Sequence, residues 1–302
     1  MRIAFIGLGF MGEPMAGHLV AASHKVRVFN RSRPAIDRLV ALGAVAAGSA
    51  ADAAAGSELI LTALPTTESI ESVYAELSTA TLAGQVYVDH STVALATTRH
   101  CADLIEAKGA SFLDAPISGG PEGAEAATLA IMAGGPADAY RKALPAFQQM
   151  GKNVYHCGPN GTGTAMKLVN QLLVGTHTLA AAESYALGVR LGLGPALMLE
   201  VIGNSYGASR MFARNVPRFA SGDFVSHAPV RLLAKDLGLI LGEMNRLKLP
   251  LPLSSVAWAQ DTALVNLGMG DADIASIIRL LGSRAESGST ETNTDQELGL
   301  ND

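Results

Sequence analysis

Four places in this 302-residue chain bring together residue types that do chemistry. The first is Gly7-Leu8-Gly9-Phe10-Met11-Gly12, which follows the apolar run Ile3–Ile6 and leads into the helix-period segment Pro14–Leu19. A glycine triplet alone is weak evidence, but a strand before it and a helix after it supply the context that a dinucleotide site needs. Gly7 permits a tight turn, Gly9 lets the backbone approach a pyrophosphate, and Gly12 allows close helix–strand contact. The helix start then offers free N–H groups and the positive end of its dipole to the phosphates.

The second place is Asn30-Arg31-Ser32-Arg33, at the end of the run Lys25–Phe29. A site selective for NAD usually carries Asp or Glu here, accepting hydrogen bonds from the ribose hydroxyls. This chain has a neutral amide and a guanidinium. A carboxylate would repel the extra phosphate of NADP, whereas Arg31 can pair with it bidentately. The expectation is NADP(H) favoured over NAD(H), against the plainer reading of Arg31 and Arg33 as solvated loop charges.

The third is Ser118-Gly119-Gly120, one hydroxyl beside successive backbone N–H groups, an arrangement suited to a small carboxylate; the alternative is a Gly-Pro connection between strands. The fourth is Lys167, Asn170 and Gln171. If Gly163 opens a helix, these stand at i, i+3 and i+4 on one face, a cation and two amides beside Met166, Leu168, Val169 and Leu172. On residue type alone a helical lysine is more often a solvated charge than a reacting group.

The elements that must hold these places follow from the apolar pattern. Ile3–Ile6, Lys25–Phe29, Leu59–Ala63, Val86–Asp89 and Ser111–Ala115 read as buried strands, with helical segments such as Met11–Ala22 and Ala94–Lys108 between them. Alternation of this kind implies a parallel, doubly wound sheet. Ala126–Gly134 and Tyr140–Met150 add a strand and a helix. Beyond Pro159 the pattern is helical: Gly163–Leu191, Pro195–Gly203, Met211–Phe219, Val230–Leu247, Ser254–Leu267 and Asp273–Leu281. The expected organisation is an α/β Rossmann-type domain over 1–162, an all-α domain over 163–286, and a disordered acidic tail over 287–302.

A net charge of −5 leaves no basic stripe for nucleic acid. No apolar run reaches the ~20 residues of a membrane span. Two distant cysteines without a CxxC pair, and no signal-peptide layout, suit a cytoplasmic protein. The seven histidines show no metal-ligand spacing, so no metal is expected.

Taken together these motifs resemble the β-hydroxyacid dehydrogenase family, which includes 3-hydroxyisobutyrate dehydrogenase and tartronate semialdehyde reductase. The likeness rests on Gly7–Ala16, Leu64-Pro65, Asp89-His90-Ser91-Thr92, Asp114–Ala124, Gly161–Gln171 and Lys235-Asp236-Leu237, in that order, over nearly the whole chain. It implies a Rossmann-type doubly wound sheet followed by an all-α C-terminal domain like that of 6-phosphogluconate dehydrogenase. It implies Lys167 as the catalytic group, Ser118, Gly119, Gly120, Asn170 and Gln171 around a carboxylate substrate, and Gly7 to Gly12, Asn30, Arg31, Ser32, Leu64, Pro65, Thr92 and Lys235 around the cofactor. Separately, the long helix expected from Gly163, joining the two domains, suits a homodimer or homotetramer. The chain departs from the family at His18, where Asn is usual, at Leu95 for Pro, Ala127 for Gly, Gln171 for a second Asn and Ala228 for an aromatic residue.

The implied activity is hydride transfer between NADP and a small hydroxy acid such as 3-hydroxyisobutyrate, glycerate, 4-hydroxybutyrate or glycolate, with Lys167 as general acid and base. Two alternatives remain. Imine reductases share the architecture but usually lack this lysine, and a nucleotide-binding module without activity would be expected to have replaced it.

Overall fold

The computed structural model describes residues 1–226 and 228–282. The expected tail over 287–302, and the last residues of the expected helical domain, lie outside the described residues.

The N-terminal half runs β1 (Arg2–Ile6), α1 (Gly12–Ala21), β2 (Lys25–Phe29), α2 (Arg33–Ala41), β3 (Val45–Ala46), α3 (Ala50–Ala54), β4 (Leu59–Thr62), α4 (Thr67–Ala80), β5 (Val86–Asp89) and α5 (Leu95–Glu106). It continues with β6 (Ser111–Asp114), β7 (Ile117–Ser118), α6 (Gly120–Glu125), β8 (Leu129–Gly134), α7 (Ala137–Met150) and β9 (Gly151–Gly158). All nine strands join one sheet in the order β3-β2-β1-β4-β5-β6-β8-β7, with β9 also paired to β8. From β3 to β6 every pairing is parallel, and β8 then runs antiparallel to β6 and β7.

The central strands are apolar on both faces because both are covered. Ile3 and Phe5 of β1 join one buried cluster, and Ala4 and Ile6 join the other. The strand order reverses between β1 and β4, the point where ligands bind beyond the carboxyl ends of such a sheet. The turn after β1 and the loops after β4 and β5 all leave the sheet at that end.

The C-terminal half is helical: α8 (Thr162–Arg190), α9 (Pro195–Gly203), α10 (Arg210–Ser221), α11 (Val230–Leu247) and α12 (Pro252–Leu264), then a π-helical turn Val265–Met269 and a 3-10 helix Ile274–Leu281. The architecture is thus a Rossmann-like N-terminal domain and a helical C-terminal domain. Helix α8 starts directly on the sheet, because a Cβ at Gly163 would collide with the carbonyl oxygens of Met132 and Asp114. Further along, Gly175 admits α11: a Cβ there would lie 2.9 Å from Leu237. No helix among the described residues is long and apolar enough to cross a membrane.

The expected strand Ala126–Gly134 begins only at Leu129, since the preceding residues coil into α6 and Ala127, at φ +53°, turns the chain out of it. The short elements β3, β7 and α6 and the edge strand β9 carry no pattern of their own. The expected helix Ser254–Leu267 stops being α-helical at Leu264, ahead of Gly268 with its φ of +78°. The last helix is 3-10: the Asp273 side chain accepts from the Ala275 N–H at 3.0 Å while Arg214 grips the same carboxylate.

Candidate active site

The turn between β1 and α1 is built by backbone demands. Gly7 has φ +92°, a conformation that L side chains rarely adopt, and a Cβ at Gly12 would strike the Gly7 carbonyl oxygen. Gly9 faces open space, with nothing within 4 Å of where a Cβ would stand. Leu8 turns into the core at 3% exposure and Phe10 out of it at 72%, while Met11 is half-buried and gives α1 no side-chain cap. The helix N-terminus is therefore left available above an open glycine, which fits a dinucleotide pyrophosphate.

Asn30 fastens this turn to the next loop. Its Oδ1 accepts the Leu8 N–H at 3.1 Å and its Nδ2 donates to the Ser32 hydroxyl at 2.9 Å. Arg33 is paired with Asp37 at 2.8 Å. Arg31 is exposed and has no ion pair or hydrogen bond among the described residues.

The loops after β4 and β5 are fixed by one buried carboxylate. Asp89 Oδ1 accepts from the hydroxyls of Thr62 at 2.8 Å and Ser91 at 2.6 Å, and from the Ser91 N–H at 3.1 Å. Burial nonetheless raises its pKa above the usual carboxylate range. Ser91 Oγ in turn accepts the Leu64 N–H at 2.9 Å, which joins the Leu64-Pro65 loop to the Thr92 loop. Lys235 Nζ donates to the Thr92 carbonyl at 2.6 Å across the two domains.

The face expected on α8 is present, with Lys167 buried and Asn170 and Gln171 half-buried. Lys167, 7% exposed, donates through Nζ to Gln171 Oε1 at 2.9 Å. Asn170 Nδ2 donates to the same oxygen at 3.0 Å, and Gln171 Nε2 donates to Asp236 Oδ2 at 2.7 Å. Asp236 also lies 3.2 Å from Lys235 Nζ. A continuous chain thus runs Lys167–Gln171–Asp236–Lys235–Thr92, from α8 through α11 to the loop after β5. Burial pulls the Lys167 pKa down to about 8; Asp236 opposes that shift and the Lys235 charge adds to it.

Two carboxylates here have jobs that spacing did not reveal. Asp236 faces α8, yet helical periodicity cannot say which of the neighbours Lys235 and Asp236 points at the lysine. Asp114, at the end of β6, caps α8: Oδ1 accepts the Gly161 N–H and Oδ2 the Thr164 N–H, both at 2.7 Å. Burial outweighs these bonds and lifts the Asp114 pKa to about 6. A cap 47 residues upstream of the helix it serves leaves no local signal.

Ser118 ends β7, Gly119 links it to α6 and Gly120 opens that helix, with both glycines at positive φ (+141° and +65°). Ser118 pairs with Ala130 of β8. No hydrogen bond among the described residues joins this loop to Lys167. Its bonded neighbour is instead α1, whose His18 Nε2 meets the carbonyls of Ala124 at 2.9 Å and Glu125 at 3.0 Å. No cluster of metal-ligating side chains is present among the described residues.

Comparison with known proteins gives the family. Residues 2–158 match the family described as the NAD binding domain of 6-phosphogluconate dehydrogenase. Residues 161–281 match the one described as the NAD-binding domain of NADP-dependent 3-hydroxyisobutyrate dehydrogenase. The chain is 39% identical to a 3-hydroxyisobutyrate dehydrogenase of Pseudomonas aeruginosa over 84% of its length and 89% of the relative's. It is 37% identical to a 2-(hydroxymethyl)glutarate dehydrogenase of Eubacterium barkeri, over 93% and 94% of the two chains. Among solved structures, the 3-hydroxyisobutyrate dehydrogenase of Mycobacterium tuberculosis with L-serine superposes with a TM-score of 0.87 at 34% identity, covering 93% of this chain and 99% of that one.

Proposed function

The chain belongs to the β-hydroxyacid dehydrogenase family, and from that premise we propose that it oxidises a primary alcohol β to a carboxylate, HOCH2–CHR–COO−, to the corresponding semialdehyde, and catalyses the reverse reduction, with NADP(H) as the preferred cofactor. Three molecules named for its relatives, 3-hydroxyisobutyrate, 2-(hydroxymethyl)glutarate and L-serine, share that skeleton and differ in R. The observation that carries the reading is the buried Lys167 in a bonded chain that ends at the cofactor-side loop.

When bound, the nicotinamide supplies the acceptor or donor of hydride. The protein manages the proton. In oxidation neutral Lys167 takes the proton of the substrate hydroxyl as hydride leaves the same carbon; in reduction the ammonium donates to the carbonyl oxygen as charge develops there. A pKa near 8 keeps both forms populated around neutrality. The amide of Gln171, engaged with Lys167 and Asp236, aims the amine and separates it from the carboxylate by one neutral group. Asn170 helps to orient the same oxygen and borders the substrate, while Ser118, Gly119 and Gly120 hold the substrate carboxylate. Excluding water from Lys167 strengthens each of these interactions.

Arg31 supports the cofactor preference, being an exposed guanidinium where an NAD site would carry an acid. Met166, Val169, Leu173 and Leu187 are exposed along α8, an apolar stripe that a second copy of the chain would cover in a homodimer or homotetramer. Two unpaired thiols, Cys101 and Cys157, fit the cytoplasm.

The test is NADPH- and NADH-linked turnover across a panel of 3-hydroxy acids and semialdehydes. The expected result is preference for the HOCH2–CHR–COO− class with NADP(H). Arg31→Ala should raise KM for NADPH by about tenfold, the loss of a charge-assisted contact, and leave KM for NADH near its original value. A wild-type preference for NADH, or equal effects on both cofactors, refutes the role of Arg31.

A further inference from the structure

We propose that His18 is a positioning residue that fastens the carboxylate-binding loop to the helix that receives the cofactor. The inference rests on reading Ser118–Gly120 as the carboxylate site.

The geometry is specific. Both partners of His18 Nε2 are carbonyl oxygens, Ala124 at 2.9 Å and Glu125 at 3.0 Å, so this nitrogen must carry a proton and donate to both. Those carbonyls close the last turn of α6, and a helix end leaves such acceptors without partners inside the helix. His18 itself stands in the last turn of α1, whose other end is the glycine turn. One side chain therefore bridges the cofactor helix and the substrate loop over 106 residues of sequence.

The loop needs such a hold. Helix α6 is six residues long, and its first residue Gly120, the preceding Gly119 and the non-glycine Ala127 just beyond it all sit at positive φ. A left-handed alanine is strained and persists only where surrounding contacts fix it. On its other side α6 meets the helical domain through Glu122, whose Oε1 is 3.9 Å from Arg218 on α10. With Glu122 54% exposed that pair adds little. The His18 bonds tie the position of the carboxylate site to α1.

Two variants separate the donor from the ring. His18→Phe keeps an aromatic ring and removes the N–H; His18→Gln places an amide N–H at similar reach. Hydrogen exchange on the full chain needs no substrate. His18→Phe should raise exchange across residues 118–128 by about tenfold, while α8 and β4 keep their wild-type rates and His18→Gln restores protection. In turnover, His18→Phe should raise KM for the hydroxy acid by about tenfold, with kcat within about twofold and cofactor affinity unchanged. Unchanged exchange in His18→Phe, a rise spread over the whole N-terminal domain, or no rescue by His18→Gln overturns the proposal. If wild-type protein turns over no acid of the panel, the functional reading falls and the exchange result still decides the role of His18.

Discussion

In the turn between β1 and α1, Phe10 is 72% exposed and Gly9 faces open space, whereas Lys167 on α8 is 7% exposed and its amine, both neighbouring amides and Asp236 are bonded to one another. The first region leaves donors unsatisfied so that a ligand can complete them. The second bonds its polar side chains to one another and buries the lysine, and that burial makes its proton easier to move. Recognition of a phosphate and control of a proton thus call for opposite treatment of polar groups.

Replacing the lysine should produce the largest effect. Lys167→Ala is expected to lower kcat by roughly 10³-fold, within the range for loss of a general acid–base group, while NADPH still binds, as read by fluorescence titration. Near-normal turnover would mean that the buried cluster is only structural.

The turn should respond in the opposite sense. Gly9→Ala meets no atom in the protein, so thermal unfolding should be unchanged, yet the added methyl would occupy the path of the pyrophosphate and weaken cofactor binding by about tenfold. A lowered Tm without a binding defect would break the comparison, because the turn would then be doing what Gly12 does.

The smallest effect lies within the lysine cluster and is read in pH. Oxidation requires neutral Lys167, so kcat/KM for the hydroxy acid should rise with pH through about 8; reduction requires the ammonium and should fall through the same range. Asp236 raises that pKa and Lys235 lowers it. Asp236→Asn should therefore move both limbs to lower pH, and a shift to higher pH would exclude the assigned polarity.

The same contrast explains what could be read from the sequence. The glycine turn is local: a strand, three glycines and a helix within 20 residues of the start, all at the positions expected. Helix α8 was expected at Gly163–Leu191 and runs Thr162–Arg190. The bonds around Lys167 run through Gln171 to Asp236 on α11, three helices downstream, and no periodicity in α8 announces it. The edge strand β9 is not legible in the sequence because Lys152, Asn153, Tyr155 and His156 are exposed, so it lacks the alternation of a half-buried strand. Helix α6 escaped notice because Gly120-Pro121-Glu122-Gly123 reads as a turn.

The cap that Asp114 places on α8 also sets a counting rule. Its two oxygens hold the amides of Gly161 and Thr164, so the angular phase of the helix is fixed before Lys167 is reached. Each residue advances the helix by about 100°, and one residue inserted between Thr164 and Lys167 would swing the amine away from Asp236 and bring Met166 into its place. An insertion at the junction of Gly158 and Pro159, where β9 ends, lies ahead of both capped amides and leaves that phase intact. Evolution can thus lengthen the chain ahead of the cap, but the three-residue step from Thr164 to Lys167 is a fixed gauge.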